Sequence, residues 1–216
     1  VSAKVMLQGA MLNPVPGEWD LMRDDLRSGN YLPTTSPYAD AITVEPNVFT
    51  TTGENAIVDW VYLELRDKND ITNVLYSTSA LVQRDGDVVT TDGVSPVRFD
   101  ASSDDYYVSI SHRNHIAVAT VATVAISSTA TTVDFTNNVS MVKGGASAVS
   151  QIDDGVFAMV AGDANGNGSI QTTDISPIVQ ATGVLGYNIH DINMNGAVQT
   201  TDTPIARNLI GKIKQF

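Results

Sequence analysis

IVDWVYLEL, residues 57 to 65, is the stretch that decides the fold class. Side chains alternate between the two faces of an extended strand, so Trp60 and Tyr62 point one way while Val61, Leu63 and Leu65 point the other. Both faces are apolar, which places this strand in the middle of a β structure. Val74 to Gln83 is its expected partner. Working outward, Ala3 to Leu7, Ala41 to Val44, Tyr106 to Ser111, Ile116 to Ile126 and Val156 to Val160 are further period-two or β-branched stretches. Asp85-Gly86 and Asp92-Gly93 carry hairpin turn chemistry, and Asp85, Asp87 and Asp92 are read as turn residues rather than metal ligands. One short helix is expected over Glu18 to Arg27, where Trp19, Met22 and Leu26 stand near helical spacing and Gly29 follows as a stop, plugging one end of the core. Many strands and few helices imply a mainly β chain, a β-sandwich of Ig-like or jelly-roll-like kind over residues 1 to 160.

Composition narrows the function. The chain has 216 residues, 43% of them hydrophobic, enough for a real core. Lys plus Arg number 12 against 24 Asp plus Glu, a net charge of −12, so the basic footprint of a nucleic-acid binder is missing and anionic membranes are poor partners. Acidic residues suit a holder of divalent cations, and equally a solvated surface that keeps a secreted protein soluble. The absence of cysteine excludes disulfides, Cys-ligated zinc and a thiol nucleophile. The longest apolar stretch, Ile116 to Ile126, falls short of the ~20 residues a membrane helix needs, so no membrane insertion is expected. A start at Val1 without a basic-then-apolar leader fits a processed product or a fragment, and export to the extracellular space or the cell surface is the expected localisation.

After about residue 140 the texture changes to small residues, then to a repeat. From Gly162 the chain reads GDANGNGSIQTTD and from His190 HDINMNGAVQTTD, corresponding residues lying 28 positions apart. In a twelve-residue EF-hand loop, side-chain oxygens at positions 1, 3, 5 and 12 and a carbonyl at 7 converge on Ca²⁺, while Gly at 6 permits the sharp turn. Loop one offers Asp163, Asn165, Asn167, the carbonyl of Ser169 and Asp174; loop two offers Asp191, Asn193, Asn195, the carbonyl of Ala197 and Asp202. Gly168 and Gly196 occupy position 6, and Gln171 and Gln199 at position 9 reach the ion through water, if at all. All donors are oxygen, which selects a hard cation, so two Ca²⁺ sites are expected, with dissociation constants of roughly 10⁻⁵ to 10⁻³ M given only two carboxylates each. Ile170 and Val198 at position 8 are expected to pair between the loops. Position 12 begins a short helix in each repeat, with Pro177 and Pro204 in first turns and Ile178, Val179, Ile205, Leu209 and Ile213 as apolar followers.

This loop-then-helix duplication resembles the dockerins, over residues 162 to about 211 of this chain. The resemblance implies a dockerin-like α-helical calcium-binding appendage over residues 161 to 216 and docking to a cohesin-like receptor. Upstream, MLQGAM, the segment from MRDDLR to SPY, IVDWVYLELRD, RDGD, SHRNH, VDFT and DGVFAMVAGDANGNGSI follow in order. They are similar to an uncharacterised C-terminal β-rich module of large bacterial surface proteins exported by type IX secretion. That resemblance implies export and a calcium-loop tail, and brings no enzymatic activity.

SHRNH, residues 112 to 115 with Ser111 before them, is the one cluster with a catalytic look. If the stretch is extended, His112 and His115 lie on opposite faces and cannot share a metal, although a turn at Arg113-Asn114 would join them; the glutamate and spacing of a zincin are missing. A structural corner with His112 hydrogen-bonded in the core is the preferred reading; that Arg113 meets a buried carboxylate such as Asp59 is implied by the resemblance of these motifs to the surface-protein module, not by geometry. No nucleophile elbow or phosphate loop is present, and adjacent acids such as Asp104-Asp105 and Asp24-Asp25 diverge in an extended chain. Tyr31, Tyr38, Tyr106 and Tyr107 are read chiefly as packing residues, with sugar stacking as the alternative. The expectation is a non-enzymatic extracellular calcium-binding structural or adhesion module of a bacterial surface assembly, whose partner is a protein or copies of itself in a multimer or filament. A carbohydrate-binding module with a glycan ligand, or dockerin-type docking, is the alternative.

Overall fold

The computed structural model describes residues 1 to 216. In chain order the elements are β1 (Ser2–Lys4), α1 (Gln8–Met11), α2 (Asp25–Ser28), β2 (Ile57–Asp67), β3 (Val74–Gln83), β4 (Asp87–Val89), β5 (Asp104–His112), β6 (His115–Ala119), β7 (Val124–Ile126), β8 (Thr132–Asp134), β9 (Val149–Asp153), β10 (Val156–Met159), α3 (Thr172–Gln180) and α4 (Asp202–Asn208). The chain is mainly β, as expected. β2 is central: it pairs antiparallel with β3 from Ile57 opposite Gln83 to Arg66 opposite Val74, and with β5 from Tyr62 opposite Ser111 to Asp67 opposite Tyr106. The main sheet runs β6-β5-β2-β3-β4-β1-β8, with β7 also on β5, and β9 and β10 form a separate hairpin.

That hairpin joins distant parts of the strand order and curls the sheet. Met159 N–H donates to Met6 O at 2.8 Å, and Ile116 N–H donates to Val160 O at 2.8 Å. Leu7 thus bridges to Met159 and His115 to Ala161, so β10 and its extension lie between the end of β1 and the start of β6. Buried side chains line both faces of the sheet, Leu63, Leu65 and Ile110 on one and Trp60 and Leu81 on the other, with Phe135 and Met159 in the same cluster. Each such side chain contributes about 1.5–3 kcal/mol. Trp60 donates its indole N–H to Pro33 O at 2.9 Å, and Tyr38 stacks on Tyr62 at 5.1 Å between centroids, so the segment before β2 covers the aromatic face of that strand.

Three local expectations are corrected. Of the Glu18–Arg27 stretch only the last three residues are helical, in α2 (Asp25–Ser28): Met22 N–H bonds to Arg84 O at 2.8 Å and Met22 O accepts from Arg84 Nε at 2.7 Å, so Arg84 takes the backbone groups a helix would use. Met22 and Leu26 do fill the core, whereas Trp19 is 62% exposed. Ile116–Ile126 divides into β6 and β7, which pair with opposite ends of β5. Ala41–Val44 makes one bridge, Thr43 to Thr35, and no strand.

The C-terminal residues lie against this body through α1. Gly9 N–H donates to His115 Nε2 at 3.0 Å, and a Cβ built on Gly9 would stand 2.1 Å from Ile192 O, a backbone atom. In a helix Ala is favoured over Gly by about 1 kcal/mol, so the contact decides the sign. Gly9→Ala is expected to destabilise the chain by about 1–3 kcal/mol, the usual cost of overpacking, in denaturant unfolding; equal or higher stability would show that α1 and residue 192 are not in contact.

A candidate metal centre in two related loops

The residues read as ligands are tied to one another by hydrogen bonds within each loop, and the two loops repeat the same internal bonds. In loop one Asp163 accepts from the N–H groups of Asn167 (3.0 Å) and Gly168 (2.9 Å), Asn165 Oδ1 from Asn167 (3.0 Å), Asn167 Oδ1 from Ser169 (2.9 Å), and Asp174 from Asn165 (3.1 Å) and Gln171 (2.8 Å). In loop two Asp191 accepts from Asn195 (3.1 Å) and Gly196 (2.8 Å), Asn193 Oδ1 from Asn195 (3.1 Å), Asn195 Oδ1 from Ala197 (3.0 Å), and Asp202 from Asn193 (3.0 Å) and Gln199 (2.7 Å). Gly168 and Gly196 have φ of +82° and +85°, the left-handed conformation that glycine adopts without a steric penalty.

Electrostatics distinguishes these loops from ordinary Asn/Gly turns. Asp163 is 4% exposed, and Asp174, Asp191 and Asp202 are 0% exposed. None of the four forms a salt bridge. Burial pushes Asp163 up, with the charge of Asp174 adding to it against the N–H of Gly168. Burial likewise carries Asp191 to about 6, helped by Asp202 and opposed by the Gly196 N–H and Arg113. No three or more His, Cys, Asp or Glu side chains are grouped so that they could hold a metal ion between them. Each loop brings two carboxylates, and the rest of its donor set is amide and carbonyl oxygen, which suits a hard cation with flexible coordination.

Ile170 and Val198 do not pair with each other, contrary to expectation. Ile170 N–H donates to Lys212 O and Gly211 N–H to Ile170 O, both at 2.9 Å; Val198 N–H donates to Val184 O and Gly183 N–H to Val198 O, both at 2.8 Å. Each of these bonds maps onto its counterpart by the same 28-residue shift, 183 to 211 and 170 to 198. Loop one is therefore clasped by the segment after α4, and loop two by the segment after α3. The equivalent glycines Gly183 and Gly211 were the sequence signal for this exchange. Pro177 lies deep in α3 rather than in its first turn, and Ile213 follows α4 instead of riding on it.

The SHRNH corner is the link between body and loops. A tight turn at Arg113-Asn114 brings the imidazoles together, with Nδ1 of His112 2.9 Å from Nδ1 of His115. Gly9 N–H donates to His115 Nε2, so neutral His115 holds its proton on Nδ1 and donates it to His112 Nδ1 and Asn114 Oδ1. His112 in turn donates from Nε2 to Asp59 at 3.0 Å. Asp59 also accepts from Arg113 Nε (3.0 Å), Tyr187 O–H (2.8 Å) and Trp60 N–H (2.7 Å). Burial alone would raise this carboxyl; Arg113, His112 and Tyr187 bring it down to about 2. Burial pushes His112 down and His115 further down, the latter also by His112 and Arg113. Arg113 Nη2 is left as the one buried side-chain nitrogen without a partner, its guanidinium lying over the Tyr187 ring. Asn114 donates through Nδ2 to Asp191 O (2.8 Å) and Ile189 O (3.0 Å), while its own O accepts from Gly162 N–H (2.9 Å). The sequence reading named this corner but not the part Asn114 and Tyr187 play, because neither has a pattern of its own.

The four tyrosines do not gather. Tyr38 stacks on Tyr62, Tyr106 meets Tyr76 edge-on, Tyr107 lies under Lys143, and Tyr31 packs against Gly196. No helix is long and apolar enough to cross a membrane. No family model and no curated protein matches this chain. Two similar solved structures are chains from crystals of type II cohesin–X-dockerin complexes of Acetivibrio cellulolyticus, mutated at the N-terminal and C-terminal interface respectively. They are 20% and 19% identical, each over 71% of this chain and 82% of that chain, with a TM-score of 0.41. A likeness that distant carries no argument about fold or function.

The buried histidines and Asp59 set a pH dependence. A histidine whose folded pKa lies below its unfolded value contributes stability that is full above about pH 6.5 and is lost as pH falls toward the folded pKa. Asp59, depressed to about 2, adds a second loss below the unfolded value of 3.8. Asp191, raised to about 6, and Asp163, also raised by burial, act in the opposite sense in the metal-free chain. In the Asp163→Asn, Asp191→Asn double variant, stability is therefore expected to fall steadily on acidification from about pH 6.5 in denaturant midpoints. A flat profile from pH 7 to 5 would mean that the two imidazoles are not buried as neutral groups.

Proposed function

We propose that this chain is a non-enzymatic extracellular calcium-binding structural or adhesion module, belonging to a bacterial surface assembly. In this reading a sandwich-like β body, residues 1 to 160, carries a dockerin-like tail, residues 161 to 216. The observation that supports it best is the repeated pair of buried, unpaired carboxylates inside an all-oxygen donor set. Like charges buried together cost free energy that a divalent cation offsets. Asp163, Asn165, Asn167, the Ser169 carbonyl and Asp174 would hold one Ca²⁺, and Asp191, Asn193, Asn195, the Ala197 carbonyl and Asp202 the other. Each ion would add about 2.7 kcal/mol of stability at a hundredfold excess over its dissociation constant. A structural role is supported further by the seclusion of the titratable cluster at Asp59, His112 and His115, where no substrate reaches. A cavity of about 290 Å³ beside Val97, Phe99 and Ile126 is lined by no carboxylate or imidazole.

Docking of the tail to a protein partner is the second reading. It is favoured by Leu185 and Ile213, equivalent under the 28-residue shift and 71% and 52% exposed, beside exposed Val184 and Ile210. Large apolar side chains exposed at equivalent places of a repeat are what a partner would cover. Calorimetric titration of EDTA-stripped protein with Ca²⁺ tests the calcium reading: two sites, weaker than about 10⁻⁵ M, both absent from the Asp163→Ala, Asp191→Ala double variant. Mass that grows with calcium in light scattering would support assembly through copies of the chain, and constant mass an internal clip. Absence of binding up to several millimolar, the weak end for extracellular modules, would return the repeats to the status of turns.

A further inference from the structure

The two loops share donors and internal bonds, yet the body holds them differently. We propose that Asn114 is a positioning residue that makes loop two the tighter cation site and the one whose occupancy the β body registers. This rests on the calcium reading of the loops. Asn114 Nδ2 fixes the carbonyl of Asp191, position 1 of loop two, and that of Ile189 before it. Arg23 Nη2 donates to the carbonyl of Asn193, position 3, at 2.5 Å. Ile192 O rests on Gly9, and the Tyr31 ring lies over Gly196, position 6. Four points of loop two are thus set by groups of the β body before any ion arrives.

Loop one has no such polar support. Its hydrogen bond to the body, Gly162 N–H to Asn114 O, precedes its first ligand, and inside the loop the body touches it through the apolar packing of Ile170 with Ile116 and Val160, at no ligand position. Within the loop, Gly168 and Ile170 are clasped by residues 211 to 214 of the tail itself. Asn165 and Asn167 are exposed, whereas their counterparts Asn193 and Asn195 are buried and half-buried. A loop already ordered by its surroundings loses less conformational freedom when it closes on an ion, and so binds more tightly. Two effects oppose this. Arg113 places a positive charge near Asp191, but its Nε is committed to Asp59 at 3.0 Å. Asp191 is also the more deeply buried of the two position-1 ligands, fully covered where Asp163 is 4% exposed, so its carboxylate costs more to desolvate. By reciprocity, an ion favoured by the body must stabilise the body.

The test is calorimetric titration of the full chain with CaCl₂, read beside thermal unfolding of the body by tryptophan fluorescence, Trp19 and Trp60 both lying outside the tail. Wild type is expected to bind in two steps; Asp191→Ala removes the tighter and Asp163→Ala the weaker. Asn114→Ala is expected to weaken the tighter step by roughly 10–100-fold, the usual effect of losing a partner behind a metal ligand, and to leave the weaker step unchanged. Arg23→Met, at a partly buried position that keeps the length of the side chain, is measured alongside in case the fully buried substitution prevents folding, and should weaken the same step. Calcium should raise the body's unfolding midpoint in wild type and Asp163→Ala but not in Asp191→Ala. Equal affinities, equal weakening of both steps by Asn114→Ala or Arg23→Met, or a calcium shift retained in Asp191→Ala would each overturn the proposal. Absence of calcium heat in wild type would overturn the calcium reading beneath it.

Discussion

The charge on Asp59 is buried completely, and it is compensated from both sides of the junction between the β body and the C-terminal tail. Arg113, His112 and the Trp60 N–H come from the body, and the Tyr187 hydroxyl comes from the segment between the two loops. A buried carboxylate stripped of one such partner is left paying several kcal/mol of desolvation. The tail cannot leave the body without uncovering that cost, so the junction is part of the core in energetic terms. The polar chain runs on from Asp59 through His112, His115 and Asn114 to the backbone of Asp191.

The same economy appears in the strand that leads into the tail. β10 and its extension bridge the end of β1 to the start of β6, then pass directly into Asp163 of loop one. Closure of the sheet and entry to the first loop are consecutive steps along one piece of chain. The loops then exchange partners, each taking its strand-like bonds from the segment that follows the other's helix. The small apolar cluster of Ala161, Ala164, Ile178, Ile192, Val198 and Ala206 lies between them. Acidic side chains that would repel one another are concentrated where backbone N–H groups converge, which lowers the cost of holding them together.

Much of the fold was legible where the governing interactions are local. Alternation of side chains marks β2 because pleating is a property of the strand itself. The twelve-position spacing marks the loops because Asp, Asn and Gly at those positions build the turn from bonds within a dozen residues. The turn aspartates behave likewise, Asp92 accepting from Val94 and Ser95 N–H at 2.8 Å. Reading failed where a distant group captured a local one. Met22 is drawn out of a helix by Arg84, and Ile170 pairs with Lys212 rather than Val198.

What the sequence determined by itself, then, is the central strand and its partner, the mainly β class, and the position of every oxygen donor in the two loops. These follow from periodicity and from residue chemistry at short range. The tertiary structure alone decided that the imidazoles of His112 and His115 meet, that Asp59 is their anchor, and that Asn114 holds loop two. The imidazoles are three positions apart and meet through the turn at Arg113-Asn114, but the other two contacts join residues 53 and 77 positions apart. No local pattern encodes such a pairing, because its free energy comes from desolvating both partners together, and that happens only once the chain has folded.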